Sequence, residues 1–339
     1  MSNIADINGG VCQAIQRTLL NQFECNAMQR TSTGLLDSLV SNSMTQKVNQ
    51  LSTDGKNRQI ELTYMQRITP DEVEETDPTN FCDASSSTVV KSIFVEPTLA
   101  ISEKELLTSE QLRAFCMEPY NNKMGFIGEI MSTKFDAMAV KADRLIGAKL
   151  VSNIGKFYDG SASKVWTPIS GGNEPNIIGE AQALAQYRKI GCNGRPILIG
   201  NGDMEVYTGV KNIGCCNQYG VDLSQASGSY SFFLDYELDG VFNNAKENYV
   251  LYYPGAFQWV QYNRYNASNA VINSFEERTN VTDPWTGLRY DLVITRDSCT
   301  DSWAITISLV FDLVFLPQDL YKSGDPLYET NGILHFTNS

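Results

Sequence analysis

An extended polar hairpin at Arg58–Ile101, running straight into a helical stretch that ends near Phe157, constrains this chain more than any other feature. A compact domain has little use for such an arm. The first strand, Arg58 to Ile68, alternates Ile60, Leu62 and Tyr64 with Gln59, Glu61 and Thr63, which gives it one apolar and one wet face. Eleven residues at strand rise reach almost ~40 Å. The return strand, Ser87 to Phe94 continuing to Ile101, is interrupted by Pro97, which lacks a ladder donor and suits the edge or end of a strand. A hairpin folded back on its own domain is the plain alternative. Against it stands the connection: the acidic tip from Thr69 to Pro78, including Asp71 to Asp77, carries little that could anchor it to a core, and loops of this length usually have a task. Contact with a neighbouring subunit would supply one.

The 339 residues suffice for one large domain or two smaller ones, and 42% hydrophobic residues is ordinary for a folded globular chain. No stretch approaches the roughly 20 apolar residues that span a bilayer. The segment Met1-Ser-Asn-Ile-Ala-Asp6 has neither the basic nor the apolar region of a signal peptide, so folding in the cytoplasm is expected. A net charge of −13 argues against a surface built for phosphate backbones, since counterion release needs clustered Lys and Arg. Cys12, Cys25, Cys82, Cys116, Cys192, Cys215, Cys216 and Cys299 are scattered without a CxxC pair. They read as small buried residues in a reducing compartment, not as metal ligands.

Before the hairpin, residues 1 to about 55 read as an arm with short helices, from Val11, Ile15 and Leu19 and then Leu35, Leu36 and Leu39. This arm is expected to pack on a neighbour or under the hairpin. After the hairpin, the spacing of Ser102 and Glu105 predicts a capped helix from Ser102 to Phe115. From Asn121 to Phe157 the stripe Ile127, Met131, Phe135, Met138, Ala142, Ile146, Leu150, Ile154 and Phe157 keeps helical steps, with Lys134, Lys141, Asp143 and Lys149 facing away. That predicts one amphipathic helix of roughly 50 Å, ended by Asp159-Gly160.

Pro168, Gly171, Gly172 and Pro175 mark a boundary. Beyond it a helix at Ile177–Ile190, a buried strand at Arg195–Gly200, a helix at Asp203–Lys211 and strands at Ser231–Asp235 and Asn248–Tyr253 predict a mixed α/β region. Long strands return at the end. Leu288, Tyr290, Leu292 and Ile294 alternate, and after the turn at Asp297–Asp301 so do Trp303, Ile305, Ile307, Leu309, Phe311, Leu313 and Phe315, with Thr306, Ser308 and Asp312 on the other face. Such one-sided burial needs a cover, for which the long helix is the natural candidate.

The sequence offers little catalytic chemistry. There is no G-x-x-x-x-G-K-[S/T], and the Gly200-Asn-Gly202-Asp203 turn lacks the third glycine of a dinucleotide fingerprint. An anion at that helix start is one reading; a strand-to-helix turn capped by Asp203 is the one adopted. His335, the single histidine, stands in a polar tail and reads as peripheral, which disfavours a nucleophile–histidine pair. The carboxylates at Asp71 to Asp77 and at Asp235, Glu237 and Asp239 could attract a hard cation. They read instead as a solvated tip and as an exposed strand face. No catalytic, cofactor-binding or metal-ligating residue is assigned.

The order of parts resembles the HK97-fold major capsid proteins of tailed double-stranded DNA bacteriophages. Two stretches resemble phage capsid sequences locally: Tyr249-Val-Leu-Tyr-Tyr-Pro-Gly-Ala-Phe-Gln258 and Thr282-Asp-Pro-Trp-Thr-Gly-Leu-Arg-Tyr-Asp-Leu292. The resemblance implies an α+β fold: an N-terminal arm (1–57), an extended E-loop hairpin (58–101), and a peripheral domain with the spine helix (102–164). An axial α/β domain (165–264) and a return to peripheral strands with a C-terminal tail (265–339) would follow. It further implies a non-enzymatic structural protein that self-assembles, as hexamers and pentamers, into an icosahedral shell around a packaged genome. E-loops would then lie across adjacent subunits. Separate scaffolding, portal and decoration proteins are implied, because too little precedes the hairpin to supply the scaffolding extension that some members carry. The virion is the expected location, with assembly in the host cytoplasm, proximity to packaged DNA and no membrane contact. An encapsulin-like compartment with protein cargo shares this fold. A cytosolic α/β enzyme with a site at Gly200–Asp203 is the alternative from another class.

Overall fold

The computed structural model of the chain describes residues 31–41, 46–50, 60–65, 90–108, 120–157, 160–165, 196–201, 231–244, 246–254, 256–264, 270–273, 276–283, 286–297, 302–315 and 332–337. Its organising element is β13 (Ser302–Phe315). Ile305, Ile307, Leu309, Phe311 and Leu313 are each at most 3% exposed, so the alternation read from the sequence does set one face against the core. Several strands share its two edges. β4 (Leu99–Leu107) runs antiparallel along one edge, from Leu107 opposite Trp303 to Leu99 opposite Phe311. The other edge is divided: β12 (Arg289–Asp297) holds it from Ser302 to Ser308, and β9 (Phe257–Asn263) from Val310 to Phe315. The sheet therefore forks. β11 (Glu276–Thr282) and β10 (Ala270–Asn273) extend the β12 branch antiparallel, while β1 (Gln46–Gln50) joins β9 in parallel.

A second sheet is centred on β8 (Asn248–Tyr252), buried at every position. Its run Tyr249-Val-Leu-Tyr252 lacks polar alternation because both faces are covered. β6 (Ile197–Gly200) lies antiparallel on one side, with β7 (Ser231–Leu234) parallel beyond it. On the other side β14 (Ile333–Thr337) is antiparallel to β8, and β5 (Lys164–Val165) is parallel to β14. Packing is tight enough to dictate Gly200: a Cβ there would stand 2.2 Å from the Tyr249 ring, which is fully buried and cannot give way.

The α+β class expected from the sequence is the one observed. α2 (Tyr120–Val151) is 32 residues long, roughly 48 Å at helical rise. Phe135, Met138, Ala142, Ile146 and Leu150, the predicted stripe, are all at most 5% exposed and share a core with Leu309 and Phe311 of the forked sheet and Val250 and Tyr252 of the second. The helix stops earlier than expected. Ser152 Oγ and Asn153 Nδ2 both donate to the Lys149 carbonyl, at 2.7 and 2.9 Å, taking up a terminal acceptor that the next turn would otherwise use. The chain then crosses extended to the second sheet, where Gly155 N donates to Ile333 O at 3.0 Å and Phe157 meets Phe336 edge-on at 5.1 Å.

Two other expectations differ from the structure. Leu99–Leu107 is a strand, so the predicted helix from Ser102 does not form over these residues, and 109–115 lie outside the described residues. The second edge of β13 claims the segment, and ladder pairing overrides a capping-box spacing. Nor is Leu35–Leu39 part of an outlying arm. α1 (Gly34–Ser41) carries Leu35, Leu36 and Leu39 at 0% exposure into the shared core, where Tyr252 donates its hydroxyl to Ser38 Oγ at 2.7 Å. Gly34 permits the approach, since a Cβ there would lie 2.4 Å from the Leu234 carbonyl oxygen.

Candidate functional site

β2 (Ile60–Met65) and β3 (Val90–Val95) pair antiparallel, Ile60 opposite Val95 and Met65 opposite Val90. They form a two-stranded sheet of their own, separate from the other two. This is the base of the hairpin read from the sequence; its acidic tip, Asp71 to Asp77, lies outside the described residues. Phe94 on β3 is 61% exposed, an apolar ring left on an arm beyond the core.

The hairpin is joined to the forked sheet through Glu96, Pro97 and Thr98, and Pro97 explains why a joint falls here. Without an amide hydrogen it cannot continue the ladder. The β4–β13 pairing ends at Leu99 and Phe311, and the next residue on β13, Asp312, replaces the ladder with its side chain. Asp312 Oδ2 accepts from Thr98 N at 3.0 Å and from Thr98 Oγ1 at 2.9 Å. Its Oδ1 accepts from Leu313 N at 2.7 Å and from Lys149 Nζ. Lys149 also donates to Thr98 Oγ1 at 3.0 Å, so the long helix, the strand and the joint meet at one carboxylate. Asp312 is nearly buried, with a side chain 5% exposed, against 33% for Lys149. On the sheet face opposite the main core, Val95, Val310 and Val314 pack against the buried pair Val260 and Tyr262. About four turns nearer the start of the helix, Lys134 reaches Glu103 at 2.7 Å and Glu105 at 2.8 Å, a second strap between α2 and β4.

A different polar site holds α1. Asp143 is 2% exposed and Asp235 is fully buried. Leu36 N donates to Asp143 at 2.8 Å, and Asp235 accepts from Leu35 N at 3.0 Å, Glu237 N at 2.9 Å and Leu238 N at 3.1 Å. The two carboxyl groups share a hydrogen bond, which requires a proton between them. Burial, reinforced by the negative charge of Asp235, raises the Asp143 pKa well above the ordinary carboxylate range. Asp143 is thus the proton donor and Asp235 the acceptor, steadied by three amides. Asp143 was expected to face away from the helix stripe; docking of the α1 start buries it.

The carboxylates Asp235, Glu237 and Asp239, expected on an exposed strand face, stand elsewhere. The strand ends at Leu234, and Asp235 anchors the turn into α3 (Leu238–Phe242). Glu237 pairs with Arg144, and Asp239 accepts from Asn248 N at 2.7 Å. His335 is likewise not peripheral. It lies on β14 at 7% exposure, stacked on Phe242 at 4.1 Å, with Nε2 3.0 Å from Asn248 Oδ1. Burial lowers its pKa to about 4, so it stays neutral near pH 7 and serves as a structural donor. At the Gly200–Asp203 turn, Asn201 accepts from the Tyr249 hydroxyl at 3.0 Å and donates to Asp239 at 3.4 Å; Gly202 and Asp203 lie outside the described residues, as do all eight cysteines. Among the described residues, no group of three His, Cys, Asp or Glu is placed to hold a metal, and no helix is long and apolar enough to cross a membrane.

The sequence reading missed Asp312 as a joint residue, although one signal was present. Among the polar residues of the outer face it is the sole carboxylate, set in the most apolar part of the strand.

No protein-family profile matches the chain, and no curated protein matches it. The chain is similar to a solved structure from Mycobacterium phage Adephagia, at 11% identity and a TM-score of 0.47, covering 94% of this chain and 93% of that one. It is similar to the asymmetric unit of the bacteriophage PhiM1 mature capsid, at 9% identity and a TM-score of 0.45, covering 88% and 86%. A third similar structure is the virus-like particle from Pyrococcus furiosus, at 9% identity and a TM-score of 0.42, covering 96% and 98%. Likeness at this level leaves function to be argued from the chain's own geometry.

Proposed function

We propose that this chain is an HK97-type major capsid protein, a structural protein that self-assembles through hexamers and pentamers into an icosahedral shell around double-stranded DNA. The observation that carries the reading is the hairpin: β2 and β3 pair with each other apart from both sheets, expose Phe94, and are fixed at the root to the long helix and to β13. An arm secured at its root, with one apolar face read from the sequence and the Phe94 ring exposed, is suited to lie on a second copy of the chain. In this reading α2 is the spine, the forked sheet is the peripheral domain, and the second sheet belongs to the axial domain, which draws β14 from the C-terminal residues. The net charge of −13 suits a wall that must not bind a sliding genome. Scaffolding, portal and decoration proteins would be separate chains, and the protein would reside in the virion.

Electron microscopy of the chain expressed with and without its neighbouring genes tests this. Closed shells of uniform diameter are expected; a compact monomer under every assembly condition overturns it. Nucleic acid inside the shells separates the capsid from an encapsulin-like compartment, which would contain protein.

A further inference from the structure

We infer that Asp312, with Lys149 and Thr98, is a clamp that fixes the direction in which the hairpin leaves the protomer, and that it positions the hairpin for assembly. The inference rests on the reading that the hairpin reaches a neighbour, but the clamp itself stands on contacts within one chain. Between Val95 and Leu99 the backbone has no partner strand, and Pro97 supplies no donor. What determines the path of Glu96–Thr98 is therefore side-chain chemistry. Asp312 takes both the amide and the hydroxyl of Thr98, at 3.0 and 2.9 Å, while Lys149 caps the same hydroxyl and neutralises the carboxylate.

This arrangement differs from an ordinary surface ion pair. The carboxylate is nearly buried and bonded to four donors from three elements, so its geometry is fixed, and charge-assisted bonds of this kind are the stronger class. It differs from the Lys134 strap too. Lys134 joins α2 to the middle of a paired strand, where the ladder already fixes the backbone; Lys149 acts where the ladder has stopped. Loss of the clamp should leave the sheets intact and free only the joint. Val95, packed against the Val260–Tyr262 pair, would then be the remaining attachment among the described residues of the arm, and a single apolar contact leaves the arm able to pivot.

The test uses Asp312→Asn and Lys149→Met in the full chain, with Lys134→Met as the control that cuts the other strap. Hydrogen exchange of unassembled protomer is followed in peptides covering residues 96–100 and 248–252. Both clamp variants are expected to raise exchange at 96–100 at least tenfold while 248–252 keeps its wild-type rate, and to lower the yield of uniform shells. Lys134→Met should do neither. Equal acceleration in both peptides would mean that Asp312 merely stabilises the fold, and unchanged exchange at 96–100 would mean that the joint is held by something else; either overturns the clamp. Because exchange is read on protomers, a wild-type chain that never forms shells would refute the capsid reading while leaving the clamp result intact.

Discussion

At the scale of single residues, the Asp143–Asp235 pair sets a pH dependence opposite to that of most carboxylates. A carboxyl group whose pKa is raised on folding binds its proton more tightly in the folded state. Its stabilisation is complete below the unfolded value near ~3.9 and is lost as pH rises through the folded value. The window therefore opens above the ordinary Asp range and extends upward to wherever Asp143 ionises. Asp143→Asn removes the titration but keeps the geometry, with the amide oxygen accepting from Leu36 N and the amide nitrogen donating to Asp235. The variant should match the wild type near pH 4 and melt higher than it at pH 8, where about 1 kcal/mol is worth roughly 1–2 °C for a chain of this length. Thermal unfolding across that range measures it, and a wild type that gains on Asp143→Asn with rising pH would contradict the shared proton. Nothing in the local pattern signals this pair. Asp143 stands between Ala142 and Arg144 and away from the apolar stripe, so helical periodicity places it in solvent. Only the arrival of the α1 amides, more than a hundred residues earlier in the chain, makes its burial tolerable.

At the scale of elements, legibility followed the regularity of the pattern. β13 and α2 repeat their periods over many residues, so their apolar faces were assigned correctly from the sequence over the described residues, with Asp143 the misplaced polar position on α2; β8 was recognisable as a short apolar run between turns. β4 was misassigned because Ser102 and Glu105 satisfy a capping spacing, while Leu106 and Leu107 sit side by side and suit either period. The structure separates those two leucines. Leu107 is 5% exposed and belongs to the core, and Leu106 is 56% exposed on the opposite face. In a strand, neighbours have opposite fates. Leu107→Ala should cost about 2–5 kcal/mol, whereas Leu106→Ala should stay within about 0.5 kcal/mol, both measured by urea unfolding. On a helix with an apolar stripe through both positions the two costs would be similar, so this pair of variants decides between the elements without a structure determination.

At the scale of the whole molecule, one core serves both sheets, and among the described residues β2 and β3 contribute nothing to it; this division predicts which half of the chain's behaviour can be removed. The order of hairpin, long helix and terminal strands could be read from the sequence because each has its own period. What could not be read was the closure: α1 and β14 come from opposite ends of the chain and meet the same core, a long-range pairing that local patterns do not encode. Ile60 and Val95 face each other across the ladder, so their backbones are about 5 Å apart and a short Asn-Gly turn can rejoin the chain there. A protomer in which that turn replaces the residues between Ile60 and Val95 keeps Val95, the clamp and every core residue among those described. It should fold, with a Tm within a few degrees of the wild type, because the described residues of the shared core and their buried apolar area are retained. It should also fail to form shells. Mixed with wild-type protein it should reduce shell yield in proportion to its share, since each such protomer still offers the surface on which a neighbour's arm lies but extends none of its own. Shells of normal diameter from the shortened chain would show that the hairpin is dispensable for assembly and would remove the observation on which the capsid proposal rests.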